Sequence, residues 1–197
     1  MPTKITAGTG MDALSHCLEA YCAPGFHPLA DGIAVEGMRL VATALQRAVH
    51  TPDDLEARAQ MLAAAAMGAT AFQKGLGGMH ALSHPVGALY DTHHGMTNAV
   101  FMPYVLVVNR DAIEARIARL AAYCGLAPSF EAFLHAVSAL RQKLNVPNTL
   151  KDFKVDGSKR ELIGDMAIVD PTAGGNPIEL TKARALEIFD RAMEGRL

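Results

Sequence analysis

The sequence predicts an all-α protein, a multi-helix bundle, from its composition and from its hydrophobic periodicity. Half of the 197 residues are apolar, yet only 6% are aromatic and tryptophan is absent. Apolar residues spread as Ala, Leu, Val and Met favour packed helices, because strands depend on β-branched and aromatic side chains. Nearly every segment between Gly or Pro interruptions has helical periodicity. At this length we expect one domain over residues 1–197 with a sizeable core.

Charge and hydropathy exclude several classes of protein. A net charge of −2 gives no reason to expect nucleic acid or an acidic membrane surface as a partner. No run of about 18 apolar residues occurs, and Met1–Lys4 does not open a signal peptide. The three cysteines form no CxxC pair, which suits a reducing compartment. We therefore expect a cytoplasmic protein that binds neither nucleic acid nor membrane.

Five helices are expected in the first 109 residues, after a start that lacks periodicity. Residues 1–11 are polar and Gly-rich, which is typical of a linker or turn. Thr51 is the expected N-cap of the third helix, with Pro52 at its first position. The alanines at 63–66 in that helix imply burial on more than one side. The expected helices cover residues 11–22, 29–50, 52–74, a segment from about 79, kinked or divided at Pro85, and 96–109, broken near Pro103.

Four more helices are expected in the rest of the chain. Ser129 and Thr181 are the predicted N-caps of two of them. No strand–turn–helix segment with a Gly-rich phosphate loop occurs, so no dinucleotide fold is predicted. The expected helices cover residues 112–123, 129–144, 159–169 and 181–194, and residues 145–154 and 170–177 are predicted loops.

Histidines are concentrated in residues 77–95, which contain four of the eight in the chain: His80, His84, His93 and His94. His80 and His84 are four residues apart and therefore project from the same face of a helix. His94 follows a turn-like stretch that could fold the chain back towards that face. Upstream, Asp12 and His16 repeat the four-residue spacing. Converging imidazoles and a carboxylate suit a divalent transition metal, so these two segments predict a metal site.

Spacing alone leaves other interpretations of these residues open. The histidines could form a polar seam between helices, and Asp12 could be a first-turn carboxylate favoured by the helix dipole. His93 has the weaker claim of the adjacent pair, because neighbours in a tight turn point apart. Cys17 could approach a metal, although we expect a buried free thiol. A hydrolase is disfavoured, because no glutamate follows the first histidine as in HExxH.

Both segments closely resemble the signatures of the iron-containing (group III) alcohol dehydrogenase family. The resemblance covers residues 2–109 well, and the later helices and residues 172–177 more loosely. The first signature resembles Gly10–His16 leading to Glu19, Ala20 and Tyr21, and the second resembles Gly78–Ala88 followed by Tyr90, His94, Gly95, Asn98, Ala99, Val100 and Pro103.

The resemblance implies a fold and a set of site residues. The fold is the C-terminal helical domain of the dehydroquinate synthase-like and iron-containing alcohol dehydrogenase fold. By the same resemblance His84 lies beside the nicotinamide and the substrate, as a polar or proton-relay residue. His93 stands where the family often has proline, and this difference leaves open a supporting or protonatable role for the His93 side chain. The implied ligands of Fe(II), with Zn(II) as the alternative ion, are Asp12, His16, His80 and His94.

The implied activity is that of an NAD(P)-dependent alcohol dehydrogenase. The metal would polarise the oxygen of a small alcohol, or of an aldehyde or ketone in reverse, for hydride transfer with NAD or NADP. Family members bind the dinucleotide with an N-terminal α/β domain that these residues do not supply, so catalysis is expected to need that domain. A surface left apolar without it would favour a homo-oligomer. The alternative is a non-catalytic helical module for metal binding or assembly.

Overall fold

The structure, a computed structural model, describes all 197 residues and consists of helices without any strand. This architecture confirms the predicted all-α class. Three single-turn 3-10 helices, Phe72–Lys74, Leu150–Phe153 and Ala173–Gly175, lie between the longer elements. The nine α-helices are α1 (Thr3–Cys22), α2 (Pro28–His50), α3 (Leu55–Ala71), α4 (Gly78–Tyr90), α5 (His94–Val108), α6 (Arg110–Tyr123), α7 (Phe130–Lys143), α8 (Arg160–Ile168) and α9 (Lys182–Glu194).

Helix α5 is the centre of the bundle. Every residue from Gly95 to Leu106 is buried, as expected for a helix that is apolar on all sides. Helices α1, α4, α7 and α9 pack around it, and α2 and α3 lie outside α1. The largest fully buried side chains include Phe101 on α5, Phe130 on α7 and Phe189 on α9. The core is therefore continuous through the bundle and fixes α1 and α4 against the start of α5.

The first helix begins eight residues earlier than the sequence predicted. Helix α1 starts at Thr3, so the expected linker at residues 1–11 is wrong. Glycine lowers helix propensity, but Gly8 and Gly10 are buried, and a side chain at either position would have to displace a neighbouring side chain. A Cβ on Gly8 would lie 2.5 Å from Cε1 of His93, and one on Gly10 would lie 2.1 Å from Cδ1 of Leu45. The glycines thus serve close packing inside a helix.

Two expectations for the third helix are also wrong. Its N-cap is Asp54, whose side chain accepts a hydrogen bond from the backbone N–H of Ala57 at 2.9 Å, whereas Thr51 ends the preceding helix. Of the alanines at 63–66 only Ala64 is buried, because α3 packs by one face against α1 and α2 and lies at the outside of the bundle. Its outer face exposes Leu55 and Leu62.

Internal prolines do not divide the helices that contain them. Pro85 lies inside α4 and Pro103 inside α5, and both helices continue past them. The predicted break near Pro103 is therefore wrong, since burial on all sides holds α5 together despite the missing N–H. The predicted N-caps Ser129 and Thr181 are confirmed. None of the helices combines the length and the apolar character that a membrane span requires.

Candidate metal centre

The candidate site lies where α1 crosses the beginning of α5. A Cβ on Gly95 would lie 2.2 Å from the carbonyl oxygen of Gly8 and 2.9 Å from Cβ of Asp12. The absence of a side chain at Gly95 permits this approach of the two backbones. The contact brings His94, the first residue of α5, next to Asp12 in the middle of α1.

Four predicted donors converge at this crossing. Oδ1 of Asp12 lies 3.5 Å from Nε2 of His94 and 3.9 Å from Nε2 of His80. The other carboxylate oxygen, Oδ2, lies 3.9 Å from Nε2 of His16. The donor atoms of Asp12, His16 and His80 all lie within 4.8 Å of one another, a spacing that a metal ion could bridge. His94 contacts the same carboxylate from the α5 side, but its donor atoms lie outside that group of three.

The imidazole rings of the cluster stack on one another. His16 and His80 are nearly parallel, with ring centroids 4.9 Å apart, and so are His84 and His94 at 5.4 Å. Burial lowers the pKa of His16 and of His94, because desolvation disfavours the imidazolium, although Asp12 partly opposes this. A lowered pKa favours the neutral ring, and only a neutral ring offers a lone pair to a metal.

Glu19 determines which nitrogen of His80 faces the cluster. The buried carboxylate of Glu19 lies 2.6 Å from Nδ1 of His80 and accepts a hydrogen bond from the backbone N–H of Met79, also at 2.6 Å. Nδ1 therefore carries the proton, and Nε2 presents its lone pair towards Asp12. A carboxylate behind a histidine is the usual support of a metal-ligating imidazole.

Asn98 lies at the centre of the donor cluster. Its Nδ2 is 2.9 Å from Oδ1 of Asp12 and 3.1 Å from Nε2 of both His80 and His94. The side chain is fully buried, and its Oδ1 has no hydrogen-bond partner. The amide thus contacts three of the four predicted donors through one nitrogen.

His84 lies beside the donors but has a different partner. Its Nδ1 is 2.9 Å from Oδ2 of Asp170, whose other oxygen accepts hydrogen bonds from the backbone N–H and hydroxyl of Thr172. Burial raises the pKa of Asp170, but the bonds from Thr172 and His84 outweigh it and hold the pKa below its usual value. His84 is thus oriented at the edge of the cluster by an ionised carboxylate.

The structure shows the surroundings of three residues whose role the spacing left open. Asp12 is the tenth residue of α1, so it is not a first-turn carboxylate. His93 is the N-cap of α5, where its Nδ1 accepts from the backbone N–H of Met96 at 3.4 Å. Cys17 is buried, its Sγ lies 4.0 Å from the carbonyl oxygen of Ala64, and burial raises its pKa to about 12.

Sequence reasoning gave no role to Glu19, Asn98 or Asp170. Glu19 follows Asp12 by seven residues and Asn98 follows His94 by four, so helical spacing could have placed both on the faces of the donors. No local signal marks Asp170. It follows α8 in a predicted loop and reaches His84 only through the packing of α8 against α4.

Relatives of known activity match almost the whole chain. The chain is 38% identical to the 4-hydroxybutyrate dehydrogenase of Cupriavidus necator over 202 aligned positions, which cover 98% of this chain and 53% of that protein. It is 34% identical to the 1,3-propanediol dehydrogenase of Citrobacter freundii, covering 97% of this chain and 51% of that protein. The chain therefore spans about half the length of these relatives.

Solved structures and a family model point to the same group of proteins as these relatives. The chain superimposes on a 1,3-propanediol oxidoreductase with a TM-score of 0.94 and 33% identity, over 98% of this chain and 53% of that one. For the iron-containing alcohol dehydrogenase of Thermococcus thioreducens the TM-score is 0.92 and the identity 30%, over 100% and 52% of the two chains. The family model for the C-terminal region of Fe-containing alcohol dehydrogenases matches residues 6–193. The chain therefore belongs to the Fe-containing alcohol dehydrogenase family and corresponds to its C-terminal region.

Proposed function

We propose that this chain is the metal-binding part of an NAD(P)-dependent alcohol dehydrogenase. The observation that carries the proposal is the convergence of one carboxylate and three imidazole nitrogens at the crossing of α1, α4 and α5. The proposed ligands of Fe(II) or Zn(II) are Asp12, His16, His80 and His94. The proposed substrate is a small alcohol, aldehyde or ketone.

The donor set fits a divalent first-row ion. The separations of 3.5–3.9 Å between the oxygens of Asp12 and the imidazole nitrogens are close to the distance of about 3.4 Å expected for neighbouring tetrahedral ligands with bonds of about 2.1 Å. Imidazole with one carboxylate admits Fe(II), Zn(II) and related ions, so ligand type does not choose among them. Family membership favours iron.

Two carboxylates beside the proposed ligands orient the histidine rings of the site. Glu19 holds His80 in the tautomer that directs Nε2 inwards. Asp170 holds Nδ1 of His84 and leaves Nε2 of that ring free to accept or release a proton at the mouth of the site. A bound ion would act as the Lewis acid that polarises the alcohol or carbonyl oxygen for hydride transfer.

The mouth of the site is open on one side. The side chains of His84 and His94 are 42% and 41% exposed, whereas that of His80 is 2% exposed. We infer that a nucleotide-binding domain like that of the longer relatives covers this side and brings NAD or NADP to it. Catalysis would then require both parts.

Measurement of the metal content tests the proposed ligand set. Anaerobically purified wild-type protein is expected to bind about one equivalent of Fe(II) or Zn(II) per chain, and His94→Ala is expected to lose most of it. His135→Ala is the matched control, because His135 is exposed and far from the donors in sequence. Equal metal content in all three proteins would count against the ligand assignment.

Reconstitution with a nucleotide-binding domain tests whether catalysis requires both parts. Alcohol-dependent reduction of NAD or NADP is expected when the nucleotide-binding half of a close relative is supplied, and not with this chain alone. Metal binding without turnover in the reconstituted pair would instead support the non-catalytic metal-binding module.

A further inference from the structure

Asn98 contacts the donor cluster through atoms that a metal ion would also need. Its Nδ2 lies within hydrogen-bond distance of Asp12, His80 and His94, at 2.9, 3.1 and 3.1 Å. Because Glu19 takes the Nδ1 proton of His80, Nε2 of that ring must be the acceptor in this contact. The amide N–H groups therefore point at lone pairs that would otherwise be offered to a cation.

The arrangement is costly for Asn98 itself. A primary amide has two N–H groups, so it cannot satisfy three acceptors fully at one time. Its own oxygen is buried without a donor. A buried polar atom without a partner is unfavourable, so these hydrogen bonds to the donors must be what keeps the amide in this orientation.

We propose that Asn98 is a positioning residue that holds the metal-donor atoms together before the ion arrives, and that the ion displaces it. The proposal rests on the metal-binding function proposed above. Each imidazole Nε2 has a single lone pair, which an N–H group and a cation cannot share, so metal binding must break the contacts of Asn98 with His80 and His94. Oδ1 of Asp12 has further lone pairs, so its contact with Asn98 does not have to break. Asn98 therefore stabilises the protein without metal more than the protein with metal, and it lowers metal affinity while keeping the site assembled.

A thermodynamic cycle on Asn98→Leu separates this role from a merely structural one. Leucine has a similar size but no donor. Because the variant should destabilise mainly the metal-free protein, Zn(II) affinity should rise about tenfold, as expected for losing one or two hydrogen bonds in that state only. Competition with a chromophoric chelator measures the affinity, and urea unfolding with and without Zn(II) closes the cycle.

Thr97→Val is the matched control for the cycle. Thr97 is the neighbouring buried residue on α5, and its hydroxyl bonds to Thr92 and to the carbonyl of His93 rather than to the donors. Its loss should destabilise both forms alike and leave Zn(II) affinity unchanged. An unchanged or weaker affinity in Asn98→Leu would overturn the proposal. No Zn(II) binding by the wild type would remove the proposed function as well.

Wild-type protein labelled with ¹⁵N at asparagine gives a second measurement that does not depend on folding of the variant. The side-chain NH₂ protons of Asn98 should move upfield on addition of Zn(II), because they lose their two imidazole acceptors. Asn109 and Asn176 are internal controls, since their amides bond to each other at 2.9 Å in both directions and should not shift. No movement of the Asn98 signals on saturation with Zn(II) would contradict displacement.

Discussion

Single residues in this chain have roles that follow from what surrounds them more than from their type. Among the histidines, His80 has a carboxylate behind it and the donor cluster in front, His84 is bonded to Asp170, and His93 caps a helix. The sequence predicted a cluster, and the structure distributes its members among different partners. The three cysteines differ in the same way, by burial.

Cys124 should be the first thiol to react in the native protein. Burial raises the pKa of Cys17 and of Cys22 to about 12, so neither forms thiolate near neutral pH. Burial also raises the pKa of Cys124, but this thiol is only half-buried and is therefore the most accessible of the three. Brief treatment with iodoacetamide at pH 8 followed by mass spectrometry should find one modified site, at Cys124. The denatured protein, which should be modified at all three cysteines, is the control. Equal modification of Cys17 in the native protein would contradict the buried position of α1.

At the scale of elements, close helix crossings decide where the proposed metal ligands lie. Propensity disfavours glycine inside helices, and the sequence therefore predicted a linker where α1 begins. The structure keeps those residues helical because Gly8 meets Gly95 of α5 backbone to backbone. A local penalty is thus outweighed by a tertiary contact, and that contact places Asp12 beside His94.

Gly95→Ala should disturb both the fold and the site. Its Cβ would lie 2.2 Å from the carbonyl oxygen of Gly8, and a backbone atom cannot rotate away, so we expect a loss of about 3 kcal/mol in the free energy of unfolding and weaker metal binding. Gly32→Ala is the matched control. Its Cβ would meet nothing within 4 Å on exposed α2, and it should stabilise the protein by about 0.4–1 kcal/mol. Urea unfolding measures both, and equal stability of the two variants would argue against the α1–α5 contact.

At the scale of the whole molecule, helices distant in sequence are joined by a partly buried ion network. Asp31 on α2 accepts hydrogen bonds from Lys74 at 2.6 Å and from Arg116 on α6 at 2.7 Å. The Lys74 side chain is only 3% exposed, and it lies just before the Gly75–Gly77 link into α4. The network therefore fixes the entry of the helix that carries His80 and His84.

Asp31→Asn should lower stability in a pH-dependent manner. Burial raises the pKa of Asp31, but the bonds from Lys74 and Arg116 outweigh it and lower the pKa overall. A pKa lowered by folding contributes stability above the unfolded value of about 4 that is lost as the pH falls through the folded value. We expect the variant to lose about 2 kcal/mol at pH 7, and the difference from wild type to shrink towards pH 2.

Asp53→Asn is the control for that series, because Asp53 is exposed in the turn before α3 and makes no ion pair. It should unfold like the wild type at every pH. A difference between Asp31→Asn and wild type that stayed constant from pH 7 to pH 2 would show that the carboxylate charge is not the source of the stabilisation.

The sequence by itself determined the helical class, most helix boundaries in the second half and the segments that carry the proposed metal ligands. These features are local: hydrophobic periodicity, N-cap residues such as Ser129 and Thr181, and histidine spacing are all read within a few turns. The start of α1, the outward-facing side of α3, the partner Asp170 and the contacts that Asn98 makes were decided only by the tertiary structure. Each depends on which helices meet, because a glycine, an alanine or an amide acquires its role from the atoms packed against it.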